Sequence, residues 1–305
     1  MTTYRCALSD EMFSDFQEGK LHNLLNRVLQ DDTLNLEFRG DNGANIYYRG
    51  GNLFSIKKDG TDYKLSFDIK YCEGQSEVLP ANPSIKEATK HIPYYKQIMD
   101  FWFSCNRRLE REFAQITVRD NNRHGDNSHA TDYYIVTSEY PYLHENGKNS
   151  NFDMTAIKWL SESAVRKNKT APTLAIIEMK YGDGALDGKA GLADHLRDVD
   201  DFLHTADLQQ VRVDQAKVFS QKCKLGLIPD MKDKPSNITI DSDNVELIFL
   251  LANHDPASRI LKKIVSAFHP NDYSFTIKIA FASMMGYCLY DDRMMTLDKF
   301  KAWLS

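Results

Sequence analysis

The chain carries two hydrophobic rhythms. Over residues 11–30, EMFSDFQEGKLHNLLNRVLQ, the apolar positions Leu21, Leu24, Leu25, Val28 and Leu29 recur every three or four residues, which predicts a helix with one apolar face. Gly19 weakens its front half. From Leu34 to Tyr71 the rhythm becomes alternation, punctuated by GDNG, RGGN and KKDG. Those are turn residues, so this stretch predicts an antiparallel meander. LPANPS (79–84) interrupts the pattern and sets the expected boundary between an N-terminal α+β region, 1–83, and a larger domain, 84–305. The helical period returns over 84–90 and about 94–119, with Pro93 in the first turn of the second helix. After the polar RDNNRHGDNSHAT come three strand-like runs, 131–140, 152–160 and 173–181. Helices at about 190–204 and 206–224, a buried strand at 245–254, a helix at 256–268 and a final strand at 273–282 complete the reading. Strands interleaved with helices in this way predict an α/β (α+β) fold, a mixed sheet flanked by helices, behind the N-terminal helix and meander.

One strand raises a chemical question. TLAIIEMKY (173–181) is apolar and β-branched through Ile177, then places Glu178 and Lys180 on one face, because strand side chains alternate. Opposite charges at the end of a buried run are costly unless paired or put to use. Asp153 stands near the start of the preceding strand, in NFDMTAIKWL, and a hairpin would set the two strands side by side. Two carboxylates on neighbouring strands suit a hard divalent cation such as magnesium or manganese, which takes oxygen ligands. Lys180 would neutralise charge at a reacting phosphate or orient an attacking water.

Composition narrows the class. The fractions, 42% hydrophobic and 27% charged, are those of an ordinary globular chain. No apolar stretch approaches the roughly 20 residues that span a bilayer, so no membrane partner is expected. The opening MTTYRCALSDEMF lacks the features of a secretory leader, and the five cysteines form no CxxC pair. A cytoplasmic protein with reduced thiols is expected. The net charge of −5 argues against a nonspecific nucleic-acid coat but leaves room for an enzyme with a locally basic groove.

The arrangement of an aspartate on one strand, then Glu178-Met179-Lys180 at the end of the next apolar strand, resembles the PD-(D/E)XK nuclease superfamily, with Phe152 where the family usually has proline. The resemblance covers roughly residues 105–205. It implies a restriction-endonuclease-like core in which a helix precedes the three strands. RRLEREFAQI (107–116) stands at that place and is similar to the opening helix of archaeal Holliday-junction resolvases, where the first glutamate is functional. On this resemblance Asp153, Glu178 and Glu110 hold the metal, Glu112 is the reserve for Glu110, and Lys180 completes the catalytic set. The implied activity is metal-dependent hydrolysis of phosphodiester bonds in nucleic acid, DNA before RNA, as an endonuclease and with a homodimer as one arrangement. Arg107, Arg108, Arg111 and Lys158 are candidates for contact with the phosphate backbone, as are Arg166, Lys167 and Lys169.

Each residue also has a plainer reading. Asp153 caps or solvates a strand start, Glu178 and Lys180 form a surface ion pair, and Glu110 belongs to a solvated helix face. His195, in GLADHLRDV, lies on a helix after the ExK strand where it could face the site, but it reads first as a satisfied core-edge histidine. Asp183 and Asp187 are explained by turn chemistry. The tyrosines of IYYRGGN (46–52) offer faces for bases, though alternation packs one side of such a strand. Glu37, Arg39 and Arg49 have no assigned chemistry. The rival to the enzyme is a non-catalytic nucleic-acid- or protein-binding protein on the same sheet, since one fold hosts many functions.

Overall fold

The computed structural model describes residues 6–40, 42–75, 79–123, 131–144, 147, 149–161, 172–231, 238–240, 244–254, 259–282, 289, 291 and 294–305. It is mixed α and β, and the chain divides into two compact units: residues 1–119 with 217–236, and residues 120–216 with 237–305. Among the described residues no helix is long and apolar enough to cross a membrane.

The first unit begins with α1 (Asp10–Gln17) and α2 (His22–Leu29), the single expected helix broken around Gly19. Its sheet is the expected meander, β1 (Leu34–Phe38), β2 (Gly43–Tyr48), β3 (Gly51–Asp59) and β4 (Asp62–Ser66), in the order β1-β2-β3-β4. Tyr48 pairs with Gly51, leaving Arg49 and Gly50 as a two-residue turn with φ of 50° and 71°. Positive φ at both positions is the twist-matched hairpin turn. The non-glycine residue is held there by Glu112 and Asp100, whose carboxylates accept from Arg49 Nε and Nη1 at 2.9 Å each. A Cβ on Gly50 would stand 2.4 Å from the carbonyl carbon of Arg111. Gly50→Ala is therefore expected to cost more than the 1–2 kcal/mol of the left-handed conformation alone, read as a drop in thermal midpoint.

The boundary expected at residue 83 separates the meander from the helices that bury its face. α3 (Ile85–Cys105) packs Ile92, Tyr95, Met99 and Trp102 inward, with Tyr95 edge-on to Phe54 and Phe67 at 4.8 and 4.7 Å. Two helices meeting at Pro93 were expected here, and there is one. The buried stripe runs unbroken past Pro93, so packing holds the helix together across the lost backbone bond. α4 (Leu109–Asn122) follows, three residues further into the polar segment than its pattern indicates. Glu37, at 0% exposure, accepts from Lys222 Nζ at 2.8 Å and from Asn35 at 2.8 Å.

The second unit holds β5 (Tyr133–Leu143), β6 (Asn149–Lys158), β7 (Thr173–Tyr181), β8 (Val245–Ala252), β9 (Thr276–Ala282) and β10 (Met295–Thr296) in one sheet of order β10-β9-β8-β7-β6-β5. β5, β6 and β7 run antiparallel, whereas β7, β8 and β9 are parallel. β8 is buried at every position, as a parallel strand covered on both faces must be. The helices are α5 (Leu192–Thr205), α6 (Leu208–Lys224), whose last eight residues belong to the first unit, α7 (Arg259–Ser266) and α8 (Leu297–Leu304). The sequence reading ended at a final strand and missed β10 and α8. TLDKFKAWL carries Leu297 and Phe300 three apart, both buried, which was a legible if short helical signal.

At the amino end of the parallel strands lies a closed charge network. Lys158 Nζ contacts Glu246 at 2.9 Å and Asp291 at 3.0 Å, Lys278 contacts the same two carboxylates, and the Tyr133 hydroxyl donates to Glu246 at 2.6 Å. Burial, with the Glu246 carboxylate beside it, pushes the Tyr133 hydroxyl far above its ordinary range.

Candidate functional site

Sheet register explains how the candidate residues meet. β6 pairs with β7 from Lys158↔Thr173 to Met154↔Ile177 and no further. Beyond that point β6 stays with β5 as far as Asn149↔Leu143, while β7 stays with β8 as far as Tyr181↔Ala252. The sheet therefore forks, and the fork opens at the carboxyl end of the parallel strands, where open α/β sheets place their ligands. Asp153 is the first residue of β6 past the last pair. Its Oδ2 accepts the Met179 N–H at 2.8 Å, so a side chain takes over the bond that the ladder has dropped.

Opposed residues of paired strands share a face, so Asp153, Glu178 and Lys180 line one side of the fork together. Glu178 is 0% exposed and Lys180 4%, while Asp153 is half-buried. Burial first, and then the neighbouring Glu178 carboxylate, push Asp153 up to about 7; Lys180 and the Met179 N–H offset only part of this. The surface ion pair of the plain reading is excluded by these burials.

His195 joins them. It sits in the first turn of α5, after a loop that turns through Gly188 and Ala190 at φ of 75° and 66°. Its Nδ1 lies 3.0 Å from Glu178 Oε2. Burial, followed by the charge of Lys180, holds the imidazole below its ordinary range, so a neutral ring faces Glu178 at neutral pH. The same helix reaches the other arm of the fork, where Phe202 meets Phe152 at 5.0 Å and Tyr142 at 4.8 Å, so α5 touches both diverging strands. The core-edge histidine is thus a neighbour of the carboxylates. Only its position after the ExK strand signalled this in the sequence.

Deeper on the same face, the Thr155 hydroxyl donates to Gln215 Oε1 of α6 at 2.6 Å. Asp187 caps its own turn through Gly188 N at 2.8 Å, as turn chemistry requires.

Glu110 and exposed Arg111 are on the first turn of α4 in the first unit, and exposed Arg107 and Arg108 immediately precede that helix. Glu112, its reserve, is committed to Arg49. Lys158 pairs with Thr173, hence shares the face of Met179 rather than of Lys180, and its ammonium is held by Glu246 and Asp291. Tyr47 and Tyr48 are 7% and 8% exposed, with Arg39 and Lys96 over their rings, so they offer no open face to a base. Arg166, Lys167 and Lys169 fall outside the described residues.

Among the described residues no three His, Cys, Asp or Glu side chains converge as a metal-ligating cluster. The donor chemistry of the fork nevertheless fits a divalent cation: two carboxylates, of which Asp153 is pushed up to about 7 by burial and by the neighbouring Glu178, with one imidazole beside them. No protein-family model, no curated protein and no solved structure matches this chain.

Proposed function

We propose that the chain is a metal-dependent nuclease of the PD-(D/E)XK type, hydrolysing phosphodiester bonds in DNA before RNA. What carries the reading is the fork itself: Asp153, Glu178 and Lys180 on one face, at the carboxyl end of the parallel strands, with two acids crowded enough to hold one proton. The order of a helix and then three strands is also the order that the resemblance implies.

Asp153 and Glu178 would hold a magnesium or manganese ion, which when bound supplies charge neutralisation and a water of lowered pKa. Lys180, nearly buried beside them, binds the scissile phosphate and stabilises the negative charge that builds on its oxygens. Asp153 is fixed by the Met179 N–H, so its orientation is set before substrate arrives. His195, neutral at working pH, orients Glu178 and can take up a proton next to it.

A cleavage assay on linear, circular, branched and single-stranded DNA and RNA tests this, with magnesium, manganese or chelator. Metal-dependent cutting is expected, and Lys180→Ala is expected to reduce it at least a hundredfold, the scale of one lost transition-state charge contact. The absence of a three-ligand cluster among the described residues favours the alternative, a non-catalytic nucleic-acid- or protein-binding role. A parent protein that cuts nothing, and whose melting temperature neither cation raises, decides for that alternative.

A further inference from the structure

The chain has three tryptophans; Trp102 and Trp159 are buried, and Trp303 is 53% exposed. Trp303 is not a loose surface ring. It stacks on Phe300 with centroids 5.7 Å apart and planes at 17°, and it lies 5.5 Å from Phe281. Phe300 is 0% exposed and also meets Phe281, which carries the His254 ring at 4.7 Å on another side. Four aromatic rings are thus fixed to one another, and the outermost is open to solvent.

Register ties this stack to the fork. Lys180 of β7 pairs with Leu251 of β8, and Leu251 pairs with Phe281 of β9. Lys180 and Phe281 therefore share one row and one face of the sheet, two strand spacings or roughly 10 Å apart. A chain of net charge −5 does not attract a polyanion by its overall field, so short-range contacts carry more of the affinity. Aromatic stacking is such a contact, and it tolerates any base.

We infer that Trp303, backed by Phe300 and Phe281, is a stacking platform for an unpaired nucleobase of the strand whose phosphate Lys180 holds. The inference rests on the nuclease reading and narrows its substrate to single-stranded nucleic acid or an unpaired end, since bases inside a duplex have both faces occupied. Trp303 is a specificity-determining residue here, apart from the chemistry at Asp153 and Glu178.

The test is a metal-free binding measurement in chelator, with oligo(dT), an abasic oligomer of equal length and charge, and a duplex. Because the other two tryptophans are buried, quenching of the exposed tryptophan signal reports on Trp303 alone. Oligo(dT) is expected to quench it, and the abasic oligomer and the duplex are not. By anisotropy of labelled oligo(dT), Trp303→Leu is expected to weaken binding roughly 5- to 150-fold while Trp303→Phe retains it. Melting curves of both variants verify that they are folded. Equal binding of oligo(dT) and the abasic oligomer, or a Trp303→Leu protein that binds like the parent, overturns the platform. A protein that cuts duplex without favouring single strands sinks the platform but spares the nuclease. Base-dependent quenching without any metal-dependent cutting supports the platform and removes the nuclease.

Discussion

Asp153→Asn is expected to raise the melting temperature of the metal-free protein at pH 8 and, in the same preparation, to lower cutting at least a thousandfold. Stability and activity move in opposite directions because the parent carboxylate is held against its own preference. Its folded pKa, about 7, lies above the ordinary carboxylate value of 3.8. The protonated form is thus favoured by folding. Its contribution is complete below about pH 4 and is lost as the pH rises through 7. Asparagine does not titrate. It keeps an oxygen for the Met179 N–H and offers a donor toward Glu178, so the advantage of the variant should grow between pH 4 and 7 and level off above. His195 titrates in the opposite sense: its depressed pKa removes stability as the pH falls below its ordinary 6.5. It is present in both proteins, but its titration is linked to Asp153, so the difference between their melting curves reports Asp153 together with that linkage. Saturating magnesium is expected to raise the parent midpoint and to leave that of the variant much less changed. Equal stability of the two proteins at pH 8 in chelator would falsify the crowded-carboxylate account.

Lys222→Met carries the largest expected loss of stability, about 3–5 kcal/mol, because it strands a buried charge. Lys222 and Glu37 have side chains only 2% and 0% exposed, and their 2.8 Å contact lies within the first unit. Asn35 still donates to Glu37 after the substitution, but no longer beside a neutralising ammonium. Adding Glu37→Leu removes the stranded acid, and the double variant should recover most of the loss. Urea titration of the four proteins of this cycle measures the coupling. A double variant no more stable than Lys222→Met would place the cost in packing, for instance against Phe38, whose ring lies 6.0 Å from the ammonium.

How much was legible beforehand depended on how local each signal was. β7 was read at its observed limits, 173–181, because an apolar β-branched run bounded by Pro172 and Gly182 has no competing period. The meander was legible from its glycine turns. Glu178 and Lys180 could be placed on one face by alternation alone, and Asp153 beside them by one hairpin. The fork could not, because where the β6–β7 ladder stops depends on how far β6 follows β5 and β7 follows β8. Nor could the approach of His195, which depends on how α5 docks. Pro93 misled for the opposite reason: a strong local rule was overridden by a buried stripe that only tertiary packing reveals. Lys158 was assigned to phosphate by charge, yet its face is fixed by the register with Thr173.

The Glu37–Lys222 pair also sets a timetable for the growing chain. The two residues are 185 positions apart, and Leu8, whose main chain exchanges two hydrogen bonds with Gln221, waits 213 positions for its partner. At about 5–20 residues per second of synthesis, the acid emerges on the order of 10–40 s before the lysine that neutralises it. The meander therefore leaves the ribosome early but stays unfinished until α6 has been made, with the whole stretch from 120 to 216 emerging in between. During that interval its open face is the part of the nascent protein most in need of a chaperone.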